Sequence, residues 1–507
     1  MIDNDRHRTL VARVTLAVAG LVFIYGLIRL GLHAPLALNY PYDLDYGEGV
    51  VWEQMRLIIS GSGYQALRPM PAFVFEYPPL YHLVTAATAG AFGLDPLLAG
   101  RLVSLVMALA AAVLIGVLTS AAIGKTQDRT IRAIAGLIAG LAFVTLPVVL
   151  NWSTLMRVDM LAYAMSIAGM LAAARSANRP SLAMLAGLLF TLALYTRQTC
   201  LPAPAAAFLV LLITRPRAAW LMLATSLITG LAALAALSIA SDGQFLVHIL
   251  AYNINRVIWD HAGMLMLVLS ANIVTLALGV IGAVMAWRRL APGGWRGLRG
   301  RMEHEDGLTA TAIVLLALGL KTLMLPAILK SGASDNYLID WFALIAVLCG
   351  MACVPLIRAA LRQPACPSLA LVLLIGVGLP VQMIDPPLRP DSGKIAQDRA
   401  ALAPVVERIR ASPRPVVSDE MVLILRGGQH VVWEPAIIAE LGSAGIYDEA
   451  ALAARVRRGE FGFFVTRGQR GSLLFDQRFN PIVADAMDAA YPRREQVGDL
   501  TLHLPAR

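Results

Sequence analysis

The chain has 507 residues, of which 58% are hydrophobic and only 15% charged, with a formal net charge of +9. Soluble domains carry nearer about a quarter charged residues, so this composition, with a mean hydropathy of +0.67, excludes an ordinary soluble protein. The positive balance does not indicate nucleic acid, because the basic residues are spread over many short loops, as membrane topology produces.

In chain order, apolar segments fall at 10–30, 99–123, 131–150, 155–174, 181–196, 200–214, 218–240, 264–287, 308–328, 337–357 and 367–384, eleven in all. Blocks of this size suit helices across a ~30 Å hydrocarbon core. The first has a basic lead-in (Arg6, Arg8, Arg13) and no small-residue cleavage site directly after it, so it reads as an uncleaved anchor. The run 79–94 opens with two prolines and is short for a span. If it lies at the interface, Lys125, Arg129, Arg132, Arg175, Arg179, Arg215 and Arg217 sort to the inner side. The sequence therefore predicts a juxtamembrane helix on the outer face. Residues 385–507 return to soluble-protein composition. Strand-like pieces at 415–418, 430–433, 462–466 and 500–504 alternate with a helical stretch at 448–458, which predicts a small outer α/β domain after a membrane domain of residues 1–384.

This topology places polar groups from distant parts of the chain on one face. Between Tyr40 and His82, Asp43, Asp45 and Glu48 crowd together around Gly47 and Gly49, and Glu76-Tyr77-Pro78-Pro79 closes the loop. Such carboxylates act as a general base, hold a divalent cation (Mg or Mn), or merely solvate a turn. The glycines let the backbone turn sharply and a substrate approach closely. His82 reads as an interfacial packing residue. Arg157 and Asp159, near the outer start of the fourth span, read as an ion pair, either structural or in a substrate site. Arg197, Arg256, Lys330 and the turn carrying Asp335, Asn336 and Tyr337 lie on the same face, where cations can hold a lipid-linked phosphate. Cys200, Cys349, Cys353 and Cys366 have no accompanying His or carboxylate and read as small buried hydrophobes.

A first span, an outer loop reading YDLDYGEG, an interfacial YPPLYH helix, Arg157-Val158-Asp159 and a GASDNYL turn before a late span together resemble the GT-C superfamily of polytopic glycosyltransferases. Lipid A aminoarabinose and galacturonic acid transferases and protein O-mannosyltransferases are members. The resemblance covers about residues 1–384 in order and topology. It implies a GT-C fold, a polyprenyl-phosphate-linked sugar donor and a glycolipid, polysaccharide or protein acceptor. It also implies a bacterial inner membrane location, with the site and the C-terminal domain facing the periplasm. Catalysis in such enzymes involves an acidic residue of the first outer loop, which here means Asp45 first, Glu48 second, with Asp43 nearby. Gly47 stands where many relatives have the first carboxylate of an adjacent pair. The likeness also makes Arg197 and Lys330 candidates for the donor phosphate.

Two other readings stay open at this stage. One is a lipid-linked-sugar flippase, which would be expected to show midplane charges and repeated halves. The other is a non-catalytic assembly subunit.

Overall fold

The computed structural model describes residues 2–68, 70–177, 179–253, 255–292, 294–384, 388 and 392–506. Helix α1 (Ile2–Asn39) leads into α2 (Tyr46–Ile59), α3 (Leu80–Phe92) and α4 (Pro96–Ile123). There follow α5 (Arg129–Val144), α6 (Pro147–Trp152), α7 (Asp159–Ala174), α8 (Pro180–Leu194), α9 (Pro202–Thr214) and α10 (Pro216–Ala240). Beyond these come α11 (Gln244–Leu250), α12 (His261–Ala271), α13 (Ile273–Leu290), α14 (Gly294–His304), α15 (Leu308–Leu323) and α16 (Ile339–Ala352).

Among the described residues, six helical stretches are long and apolar enough to cross a membrane: Arg6–Asn39, Pro96–Ile123, Pro216–Ala240, Ile273–Leu290, Leu308–Leu329 and Asp335–Ala360. The chain is a multi-pass membrane protein. Every apolar segment read from the sequence contains a helix, but several are broken, the tenth at Cys353 for example. The third stops at Val144, because Pro147 cannot continue the hydrogen-bond ladder and starts α6 instead. The eighth is interrupted at Asn272, which ends α12 and begins α13.

The run at 79–94 forms the short α3, fixed to α4 by the Tyr81 hydroxyl donating to the Gly100 carbonyl at 2.7 Å. The proline pair sits at its start, where missing N–H groups cost nothing.

The C-terminal region is α/β. Strands β1 (Val417–Ser418), β2 (Phe464–Arg467), β3 (Arg493–Val497) and β4 (Leu500–Leu504) form one sheet in the order β1-β2-β4-β3. The first pair is parallel and the others antiparallel. The predicted piece at 430–433 is not in this sheet. Instead Trp433 makes a parallel bridge with Ala72 of the first loop, with Ala72 N–H donating to Val432 at 2.7 Å and Glu434 N–H to Ala72 at 3.0 Å. The exposed strand β3, flanked by Tyr491-Pro492 and rich in charge, was not legible from its polar sequence. The helix at 448–458 is present as Glu449–Arg457.

The domain boundary expected at 384/385 falls where residues 385–387 and 389–391 lie outside the described set. Packing does not follow that boundary. Val50, Val51, Trp52 and Met55 of α2 share one apolar core with Val416, Met421, Val422 and Leu423. A Cβ on Gly49 would come within 2.6 Å of the Met421 side chain, so glycine is what lets the two regions touch.

Candidate active site

The three loop carboxylates diverge. Asp45 is the N-cap of α2. Its Oδ2 accepts the Gly47 N–H at 2.9 Å and the Arg157 guanidinium at 3.1 Å. Its Oδ1 has no hydrogen-bond partner among the described residues, and the side chain is 28% exposed. Glu48 is fully buried. Arg101 clasps both its oxygens at 2.7 Å, and the backbone N–H groups of Leu44 and Met156 each add a bond at 2.8 Å. With its acceptor sites filled and no exposed surface, Glu48 cannot take a proton from a substrate, which corrects its candidacy as a base. Asp43 turns toward the C-terminal region and accepts the Val422 N–H at 3.1 Å. Burial, then the nearby Glu420, raise its pKa.

The three side chains of the acidic loop point apart. Among the described residues no group of three His, Cys, Asp or Glu side chains converges on a common point.

Arg101, in the first turns of α4, is not among the residues that the sequence singles out. It also donates to the carbonyls of Ala37, Tyr40 and Tyr42 at 2.7, 2.5 and 2.8 Å, closing the unsatisfied end of α1. The signal that could have found it is an arginine inside the first turns of a long apolar helix, a costly placement without buried partners.

Arg157 and Asp159 do not pair with each other, contrary to the sequence expectation. The chain turns sharply into α7 at this point, so the two side chains leave in different directions. Arg157 takes Asp45, and its guanidinium lies 5.3 Å from the Trp152 ring centre and 5.9 Å from that of Tyr77. Asp159 pairs with Arg197 and accepts the Asn336 amide at 2.9 Å. Arg197 in turn sits under the Tyr337 ring at 4.7 Å. Asp335 accepts the Trp152 indole N–H at 2.8 Å, so one indole touches both Arg157 and the turn that carries Asn336 and Tyr337.

Gly47 has a specific purpose here. A Cβ at this position would lie 1.2 Å from Arg157 Nη1, so the guanidinium occupies the space that a side chain would fill. Gly47 and Gly49 lie in the first turn of α2. They admit Arg157 and Met421, not a sharp turn or a substrate as their spacing implied.

Glu76 and Tyr77 reach the same region. Tyr77 hydroxyl accepts from Arg157 at 3.3 Å, and Glu76 accepts from Gln54 at 3.0 Å. Gln54 is bound on its other side to His82 at 2.9 Å, which makes His82 a buried packing residue. Burial, then the charge of Glu434, push the Glu76 carboxyl up to about 8. Glu434 belongs to the C-terminal region, is bonded by the Tyr46 hydroxyl, and is itself raised to about 6, chiefly by burial.

The folded chain therefore keeps a proton on Glu76 that the unfolded chain releases near its ordinary value of 4.5. Stability from this group is complete below that value and declines as pH rises toward about 8. Thermal midpoints of wild type should fall over this window by on the order of a few degrees, and Glu76→Gln should flatten the fall. Identical profiles for the two proteins would contradict the assignment.

Lys330 and Arg256 sit on two loops zipped together by Ile258 N–H to Leu329 and Ser331 N–H to Arg256, both at 2.7 Å. Arg256 is engaged by Glu440 at 3.1 Å, a residue of the C-terminal region that the sequence did not single out. Lys330 Nζ donates only to the Asn253 carbonyl, at 3.3 Å. Among the described residues it is the candidate cation without a carboxylate partner. Arg157, Arg197 and Arg256 all have one.

The helical bundle, the short helix after the first loop and the carboxylate–arginine site at one end define a polytopic membrane protein of GT-C fold. A family model described as dolichyl-phosphate-mannose-protein mannosyltransferase matches residues 94–241. ArnT from Cupriavidus metallidurans bound to undecaprenyl phosphate is 14% identical, with a TM-score of 0.55, over 97% of this chain and 98% of that one. Its apo state superposes with a TM-score of 0.56 at 14% identity over 96% of each chain. The apo Archaeoglobus fulgidus oligosaccharyltransferase gives a TM-score of 0.56 at 11% identity, over 89% of this chain and 69% of that one. No curated protein matches the chain in sequence. At these identities the likeness is one of fold, and it bears out the GT-C fold expected from the sequence.

Proposed function

We propose that the protein is a membrane glycosyltransferase that moves a sugar from a polyprenyl-phosphate donor to an acceptor hydroxyl on a glycolipid, polysaccharide or protein, with inversion at the anomeric carbon. The observation that carries this reading is the unpartnered Oδ1 of Asp45, partly exposed on a carboxylate whose other oxygen is fixed by Arg157 and the start of α2. Asp45 accepts the acceptor's hydroxyl proton on Oδ1 as the oxygen bonds to the anomeric carbon. The bond from that carbon to the phosphate oxygen breaks, and the lipid phosphate leaves with the electron pair. Asp45 and the two substrates together account for every proton and electron pair in these steps.

Lys330 is the group best placed to meet the donor phosphate, because a cation already neutralised by a carboxylate has less to offer a second anion. Arg256 and Arg197 hold the loops around it. The undecaprenyl phosphate bound by the ArnT relative supports a lipid-phosphate donor. In this reading the site end of the bundle and the C-terminal region face the periplasm of a bacterial inner membrane.

Incubating the purified protein with a radiolabelled polyprenyl-phosphate sugar and candidate acceptors tests the proposal. Label on an acceptor supports it, whereas movement across liposomes without bond cleavage would support a transporter. Lys330→Met should raise the donor KM by about tenfold, the loss of one charge-assisted contact. An unchanged donor KM would remove Lys330 from the phosphate site.

A further inference from the structure

At the opposite ends of the same helices lies a second polar cavity of about 360 Å³. The 16-residue α7 begins at Asp159 in the candidate active site and ends beside this cavity, roughly 24 Å away at the helical rise. Four arginines line it, each from a different place: Arg132 on α5, Arg175 just after α7, Arg179 just before α8 and Arg215 between α9 and α10. None of their side chains has a hydrogen bond or ion pair among the described residues, and the Arg132 Nε is buried without a partner.

Carboxylates also reach the cavity wall, each paired with another cation, and Glu303 in addition attracts Arg215. Glu303 pairs with Arg299 at 3.3 Å, Glu305 with Arg301 at 2.7 Å and Asp306 with Lys125 at 3.4 Å. The N-terminus of the 15-residue α8, which has no side-chain cap, opens on the same space through Arg179 and Leu182. Its dipole adds positive potential. Scattered inner-side arginines are ordinary in membrane proteins. Four gathered around one half-open cavity, outnumbering the acids free to meet them, form a basic site with room for an anion.

We propose that this cavity binds a phosphate group, supplied by the headgroup of an anionic phospholipid, on the face opposite the sugar-transfer site. Basic pockets between membrane helices suit such headgroups, because guanidinium forks match phosphate oxygens while the acyl chains remain in the bilayer. The lipid would bridge the ends of α5, α7, α8 and α10 and hold them together.

The test uses the purified full chain in neutral detergent, with phosphatidylglycerol, phosphatidylcholine or inorganic phosphate added, read by retained lipid and by thermal midpoint. Wild type should retain phosphatidylglycerol over phosphatidylcholine and be stabilised by it. Arg175→Gln/Arg179→Gln should weaken that retention roughly tenfold or more. Both side chains are exposed, so this variant folds as wild type does, and its midpoint without lipid supplies the control. Arg132→Gln provides an independent second variant.

Displacement of the lipid by inorganic phosphate at comparable concentration would keep the phosphate site but assign it to free phosphate. Equal retention of phosphatidylglycerol by wild type and both variants, or equal retention of phosphatidylcholine, would overturn the proposal. Because Asp45 and Lys330 lie at the other helix ends, neither result bears on the sugar-transfer reading.

Discussion

Replacing Asp45 by Asn is expected to lower sugar transfer by about 10²- to 10⁴-fold, the usual contribution of a positioned general base. The carboxamide oxygen can still accept the Gly47 N–H that caps α2, so the helix start survives. What disappears is the proton-accepting capacity of Oδ1 and the charge facing Arg157. The latter costs some stability, since Arg157 is 11% exposed and then lacks its counter-ion. Transfer rates should therefore be measured beside a melting curve. A folded Asp45→Asn enzyme working at the wild-type rate would sink the base assignment. The kcat should carry most of the loss, because the donor phosphate is assigned to Lys330, on a different loop.

Arg101→Met should be the most damaging single change to the fold, costing about 3–5 kcal/mol. It leaves the Glu48 carboxyl buried without its cation, and it frees the carbonyls at the end of α1. Yield of folded protein and thermal midpoint report the effect. A variant within about 1 kcal/mol of wild type would show that the Glu48–Arg101 clasp is dispensable. Adding Glu48→Leu to Arg101→Met should recover part of the loss, since it removes the buried polar group left without its partner. The same clasp explains why two carboxylates of one short loop have different fates. Glu48, one turn into α2, points into the bundle toward α4, while Asp45, at the helix start, faces Arg157 and the opening.

The site includes residues that sequence patterns could not rank. Glu434 and Glu440 look like any acids in a polar region, yet the bridge from Ala72 to Trp433 brings one toward Glu76, and Arg256 captures the other. The C-terminal region, which composition alone marks off as a separate outer domain, is part of the wall of the site. Its packing on α2 depends on Gly49 as much as on its own sheet.

By itself, the sequence determined the membrane class, a helix for every apolar segment, the short α3 behind its two prolines and the loop that carries Asp45. These follow from local physics: bilayer thickness sets the length of an apolar run, and proline marks where a helix starts or stops. Only the tertiary structure decided which charge meets which. Arg157 and Asp159 are two residues apart yet serve different partners, and Glu48 is neutralised by Arg101 from another helix. Ion pairing depends on side-chain direction and on distance through space, and spacing along a chain encodes neither across separate helices.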